Sequence, residues 1–254
     1  MTWSAKQYST FEAERTRPVR DLVAAIHTEP VRTAIDLGCG PGNSTEVLAE
    51  RFPDAAVSGM DSSEDMIVAA RKRLPGLQFS TGDIASWSPA ERFDVILANA
   101  SLQWVPDHGA LYPRLAGQLA PGGTLAVQTP DNLGEPAHVL MREVAASGPW
   151  ASVIGGTTHP TRHPAEFYYS LLKPHCSHVD VWRTTYFHPL AGGASAVVEW
   201  FKGTALRPYL QPLTPELQAG FLARYTEVVA EAYPALSDGT VLLPFPRLFV
   251  VATR

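Results

Sequence analysis

Cysteine is scarce. The chain has two, Cys39 and Cys176. They lie far apart, so a disulfide framework is not expected, and two thiols are too few for a structural zinc site. No metal ligand set is assigned. No apolar run approaches the roughly 20 residues that span a bilayer. The opening Met1-Thr2-Trp3-Ser4-Ala5-Lys6 lacks the charged-then-apolar order of a secretory leader. A cytoplasmic protein with no membrane partner is the expectation. Basic stripes are missing as well. Twenty Lys and Arg stand against 25 Asp and Glu, a formal charge of −5, and an acidic excess repels nucleic-acid phosphates. The one dense basic cluster, Arg71-Lys72-Arg73, reads as a solvated helix end, where cations suit the helix dipole. What remains is a chain of 254 residues, 45% of them hydrophobic, enough for a sizeable core in one or two domains.

The stretch Ala34 to Thr45, A-I-D-L-G-C-G-P-G-N-S-T, organises this chain. A short apolar run carries Asp36 near its end, turns through Gly38, Gly40 and Gly42, and opens a helix at Asn43. Glycines here let a ligand approach the backbone and permit positive φ, and the helix start offers unpaired N–H groups. The dinucleotide fingerprint is G-x-G-x-x-G. Here the third glycine comes one residue early, and the spacing with Asp36 resembles motif I of the class I S-adenosylmethionine-dependent methyltransferases, D/E-x-G-x-G-x-G. A carboxylate such as Asp36 repels a pyrophosphate and suits the ammonium of S-adenosylmethionine, directly or through water. Cys39, inside the loop, reads as a packing residue.

Further acidic and apolar residues follow at strand ends. Asp61 lies 19 residues after Gly42, near the roughly 20-residue interval at which a carboxylate meets ribose hydroxyls in nucleotide folds. Ser62 and Ser63 start the next helix. Met66 sits one turn into it, as an adenine contact or as core, two readings that stay open. Asp83 is placed to take an adenine amino group, with Ile84 against the ring. The apolar run Phe93 to Ala98 reads as a strand buried on both faces. It ends at Asn99 and, a few residues on, Trp104, at the carboxyl edge where open α/β sheets bind ligands.

The segments D-L-G-C-G-P-G-N-S-T, G-M-D, G-D-I, F-D-V-I-L-A-N-A-S-L-Q-W-V and L-A-P-G-G-T-L occur in order and resemble the successive motifs of that family. The resemblance implies an α/β fold, a doubly wound, Rossmann-like, seven-stranded, mostly parallel sheet with the last strand antiparallel. Its last two strands in chain order would be Val179–Phe187 and Arg247–Ala252. A helical segment over the cofactor site is expected at residues 1–30, the cofactor-binding core at 31–131, cap inserts at 132–175 and 190–243, and core strands at 176–189 and 244–254. The inserts read as a substrate cap, or alternatively as a dimerisation surface. Monomer and homodimer both remain open.

Over its whole length, including W-S-A-K-Q-Y-S-T-F-E-A-E-R-T-R-P and R-H-P-A-E-F-Y-Y-S-L-L, the chain resembles family members that methylate a carboxylate of a small tricarboxylic acid. S-adenosylhomocysteine would be the second product. A tricarboxylate needs cations inside a desolvating site. Arg15, Arg162, His163, Lys202, Arg207 and Tyr209 are the substrate-binding candidates, with Trp104 and Tyr8 positioning the reactants. No general base is expected, because a carboxylate is already ionised at neutral pH. The alternatives are a methyltransferase for another small or carrier-bound acid, and a non-catalytic S-adenosylmethionine-binding module.

Overall fold

The computed structural model describes residues 12–156 and 162–254, with backbone only for residues 12–15. Strands β1 (Thr33–Leu37), β2 (Ala56–Asp61), β3 (Gln78–Thr81), β4 (Phe93–Asn99), β5 (Leu119–Pro130), β6 (His178–Ala191) and β7 (Thr240–Thr253) form one sheet. Their order is β3-β2-β1-β4-β5-β7-β6. The first five pair in parallel. Between them run helices α1 (Glu12–Ala24, ahead of β1), α2 (Asn43–Arg51), α3 (Glu64–Arg73) and α4 (His108–Gly117). Strand β7 is antiparallel to β5. The Gly122 N–H donates to the Arg254 carbonyl at 3.1 Å and Arg254 N–H to the Gly123 carbonyl at 2.9 Å, and the Thr124 and Thr253 hydroxyls meet at 2.9 Å. This is the α/β sheet that the sequence leads one to expect.

Composition explains why these segments are strands. Ala34, Leu37, Ile96, Leu97 and Leu125 are fully buried. Such near-continuous apolar character is what a parallel strand covered on both faces needs. The order reverses between β1 and β4, which makes the carboxyl ends of these two strands the switch point. Asp36 pairs with Leu97 across β1 and β4, and Leu37 pairs with Met60 across β1 and β2. The residues just beyond Leu37, Asp61 and Asn99 therefore share one edge.

The chain forms two compact units. The first holds residues up to Pro130, Pro160–Thr184 and Leu248–Arg254; the second holds Asp131–His159 and Thr185–Arg247. The second contains α5 (Pro136–Ala146), α6 (Ala151–Ile154), α8 (Gly193–Lys202), α9 (Arg207–Leu210) and α10 (Pro215–Ala232). Helix α10 packs on α5 and α8. There the Tyr225 hydroxyl donates to the Ala137 carbonyl at 2.9 Å, and the Ala137 N–H donates to the Tyr233 hydroxyl at 3.0 Å. Among the described residues, no helix is long and apolar enough to cross a membrane.

Two boundaries differ from expectation. The segment 132–175 is not one insert, because α7 (Ala165–Leu172) belongs to the first unit. The Tyr168 ring packs 4.8 Å from that of Tyr112 on α4, and Leu172 is fully buried. Strands β6 and β7 also run further into 190–243 than the sequence indicates. Proline disfavours the strand reading, and Pro189, Pro244 and Pro246 all lie within these two strands.

Candidate active site

The glycine loop is held down from both sides. Beyond β1, the Gly38 and Cys39 amides donate to the Met60 carbonyl at 2.7 and 3.0 Å. Gly38 has φ +76°, and a Cβ there would lie 2.3 Å from Cβ of Ser101. The Ser101 hydroxyl donates to the Leu37 carbonyl at 2.7 Å. Ser101 thus fills the room a side chain at position 38 would need, and glycine is obligatory. At the end of β2, Asp61 accepts from the Gly40 N–H at 3.0 Å through Oδ2 and from the Ser63 N–H at 2.9 Å through Oδ1. Each carboxylate oxygen keeps further acceptor capacity.

A cleft of about 740 Å³ opens along this edge. Gly38, Gly40, Asp61, Ser62, Met66, Asp83, Ile84 and Asn99 all line it, so eight of the ten expected cofactor contacts come together. Met66 is buried in its floor, and Ile84 is buried beside Asp83. Asp83 accepts from the Ala85 N–H at 2.9 Å. Asn99 keeps Oδ1 without a protein partner. Ala100, which also lines the cleft, has φ +53°. That conformation is unusual for a residue with a Cβ, and such strain gathers at functional sites. The Gln103 amide holds it by donating to the Ala100 carbonyl at 2.7 Å. Trp104 ends the short 3₁₀ turn Leu102–Trp104 and stands 58% exposed on the cleft wall.

Asp36 and Asn43 do not line the cleft. Asp36 is fully buried below the loop, where its Oδ2 accepts from the Ser44 and Thr45 hydroxyls at 2.7 Å each. Burial raises its pKa to about 6 against those two hydrogen bonds, and the charge of Asp61 adds to the rise. Its direct bonds go to the first turn of α2. Cys39 packs with Ile67, Ala70 and Phe79, and burial pushes its thiol pKa up.

The lining is one-signed. Asp61, Glu64, Asp65 and Asp83 line the cleft, and among the described residues no Lys, Arg or His does. Such a cleft favours a cationic ligand and opposes a pyrophosphate. The substrate-side candidates fall in different places. Arg162 and His163 belong to the first unit, not to a cap with Lys202 and Arg207. Arg162 donates from Nη1 to the Gln103 carbonyl at 3.4 Å, and the His163 ring stacks 3.9 Å from that of Phe167. Lys202, Arg207 and Tyr209 lie in the second unit. Lys202 pairs with Glu199 on α8. Arg207 is exposed at the start of α9. Tyr209 is buried beside Phe221, with ring centroids 6.2 Å apart. Tyr8 and the side chain of Arg15 lie outside the described residues.

Several site residues escape sequence reasoning. Ala100 gives no signal, since alanine rarely takes positive φ. Ser101 matters only once β1 and β4 are adjacent. The run Asp61-Ser62-Ser63 does carry a signal, because Asp readily accepts from a backbone N–H two residues on.

Comparison with known proteins decides the family. A model described as a methyltransferase domain matches residues 34–123. A trans-aconitate 2-methyltransferase from Methylobacterium radiotolerans is 56% identical over 99% of this chain and 98% of its own length. The chain belongs to the trans-aconitate 2-methyltransferase family. A second member, from Rhizobium meliloti, is 52% identical over 100% of this chain and 99% of its own. The YcgJ protein from Bacillus subtilis shares the fold, with TM-score 0.59 and 10% identity over 94% of this chain and 98% of that one. The family's matched domain begins at Ala34 and spans the glycine loop, Asp61, Asp83 and Asn99.

Proposed function

We propose that this protein transfers the methyl group of S-adenosylmethionine to one carboxylate of trans-aconitate, giving a monomethyl ester and S-adenosylhomocysteine. The observation that carries the reading is the near full-length identity, 56% and 52%, to two enzymes named for this activity. The cleft's chemistry agrees. Gly38 and Gly40 leave room for a ligand against the backbone, Asp61 suits ribose hydroxyls, and Asp83 with Ile84 suits adenine. The four carboxylates complement the positive sulfonium and ammonium of the methyl donor. Met66 and Asn99 complete the lining. Asp36 acts from below, by fixing the helix turn that follows the loop.

The acid brings its own nucleophile. Its ionised oxygen attacks the methyl carbon, and an O–C bond forms as the C–S bond breaks. The electron pair leaves with sulfur, and no proton moves. Opposite charges meet and cancel, so a water-poor site with Trp104 as a wall favours the transition state over the solvated ions. Alignment of the two reactants can supply on the order of 7–11 kcal/mol. Arg162 and His163 beside the wall are the residues we assign to the acid; Lys202, Arg207, Tyr209, Tyr8 and Arg15 are further candidates from the sequence. The same reading makes the protein a cytoplasmic enzyme with a small-molecule substrate and no nucleic-acid partner, as a monomer or homodimer.

The test is mass spectrometry of trans-aconitate incubated with the protein and methyl-labelled S-adenosylmethionine. One label per acid, with S-adenosylhomocysteine formed in equal amount, is the expected result. Label on another small acid alone, or on none, overturns the assignment.

A further inference from the structure

The first unit holds a buried polar pair, His108 and Tyr168, that the chemistry above leaves unused. His108 opens α4 and is 5% exposed. Its Nε2 lies 2.9 Å from the Leu102 carbonyl, and its Nδ1 lies 2.9 Å from the Tyr168 hydroxyl. A carbonyl only accepts, so Nε2 carries the proton of the neutral ring and Nδ1 accepts from Tyr168. Burial lowers the pKa of the imidazole, the Leu102 carbonyl works against that, and His163 and Arg162 push it down further. The ring is therefore neutral in the ordinary working range. Tyr112 and His163 flank the pair, with ring centroids 5.4 and 5.6 Å from that of His108.

The two bonds reach elements with different tasks. Leu102 begins the turn that ends at Trp104 on the cleft wall. Tyr168 sits on α7, whose preceding residues are Arg162 and His163. Arg162 itself touches that turn through the Gln103 carbonyl. One imidazole thus joins the wall to the segment bearing the cations. The cleft lining brings only carboxylates to an anionic acid, so the counter-charge must be presented from outside it, at a fixed distance. A guanidinium on a loose segment loses that advantage to side-chain entropy.

We propose that His108 is a positioning residue for the acid substrate, clasping the Arg162–His163 segment to the Leu102–Trp104 turn through Tyr168. This rests on the reading of Arg162 and His163 as acid-binding groups. Tyr168→Phe keeps the ring and removes one hydroxyl, leaving the buried Nδ1 without its donor. His108→Asn removes the span between the two partners.

The experiment measures KM for trans-aconitate, Kd for S-adenosylhomocysteine, and hydrogen exchange of peptides covering 100–107 and 162–172, in full-length protein. Both variants are expected to raise the acid's KM five- to twentyfold, to leave the Kd within twofold, and to lose exchange protection in both peptides together. A general loss of packing moves KM and Kd alike, and that outcome overturns the proposal, as does a KM that does not change. Should the unsubstituted protein methylate no free acid, the functional reading fails on its own. The exchange measurement then decides the clasp: joint loss of protection supports it, and unchanged protection in either peptide overturns it.

Discussion

The Gly40 amide donates to the Asp61 carboxylate at 3.0 Å, so a residue at the end of β2 holds the loop that follows β1. The contact spans two neighbouring parallel strands and ties the ribose candidate to the backbone that must admit the ligand. Loss of Asp61 therefore removes a ligand acceptor and a loop restraint together. Asp61→Ala is expected to weaken S-adenosylhomocysteine binding by about 10–100-fold, the range of one charge-assisted hydrogen bond at about 1.5–3 kcal/mol. Asp61→Asn keeps one acceptor and should lose less. Calorimetric titration reads both, and an unchanged Kd in the alanine variant removes Asp61 from the site.

Gly38 and Gly40 should part company. A Cβ at Gly38 meets Ser101, whereas one at Gly40 meets nothing within 4 Å. Gly40→Ala carries the left-handed cost alone, about 1–2 kcal/mol. Gly38→Ala adds overpacking of about 1–3 kcal/mol. Chemical denaturation should rank them in that order, and Ser101→Gly should recover part of the Gly38→Ala loss. Equal losses in the two alanine variants count against the packing account.

Asp36 gives stability a definite pH slope. Its pKa lies at about 6 in the folded chain, against an ordinary value of 3.8. Between these values the folded protein binds more protons than the unfolded chain, so stability falls as pH rises through the window. The loss attributable to this one group is about 3 kcal/mol over the whole titration, of which about 2 kcal/mol falls between pH 4 and 6. Subtracting the denaturation profile of Asp36→Asn from that of the unsubstituted protein should expose it. A flat difference would mean that the carboxylate is better solvated than its burial implies.

Arg162→Ala and Arg207→Ala should each raise the KM for trans-aconitate, by about 10–100-fold for a lost bond to a charged group. The KM for S-adenosylmethionine should stay near its starting value. Steady-state kinetics with each substrate varied in turn checks this. A parallel rise in both constants strikes that residue from the acid site.

Most of the cofactor side was legible because it depends on local spacing. G-x-G-x-G after an apolar run, and an acid at the next strand end, specify a loop and a carboxylate beside it over short stretches of chain. Asp36 shows where spacing misleads: its position in the motif suggests a ligand contact, yet Ser44 and Thr45 lie close enough to occupy it. The surroundings of Arg162 and His163 are less legible because they are tertiary. Nothing in Pro106-Asp107-His108-Gly109 indicates that His108 meets Tyr168 on another helix. Arg162 reads as part of an insert by sequence, whereas the packing of α7 on α4 places it in the first unit. The strand ends in β6 and β7 were hidden by proline, which weighs against a strand in local propensity while the neighbouring strands hold it in place.

The sheet's order has a consequence for how the chain is made. Strand β7 sits between β5 and β6 but is the last of the three to leave the ribosome. Until it emerges, the nascent β5 presents a long apolar edge with unpaired backbone groups, the kind of surface that recruits other strands. Synthesis thus leaves a waiting period in which this edge of the sheet is open, and it ends only when β7 arrives to cover it.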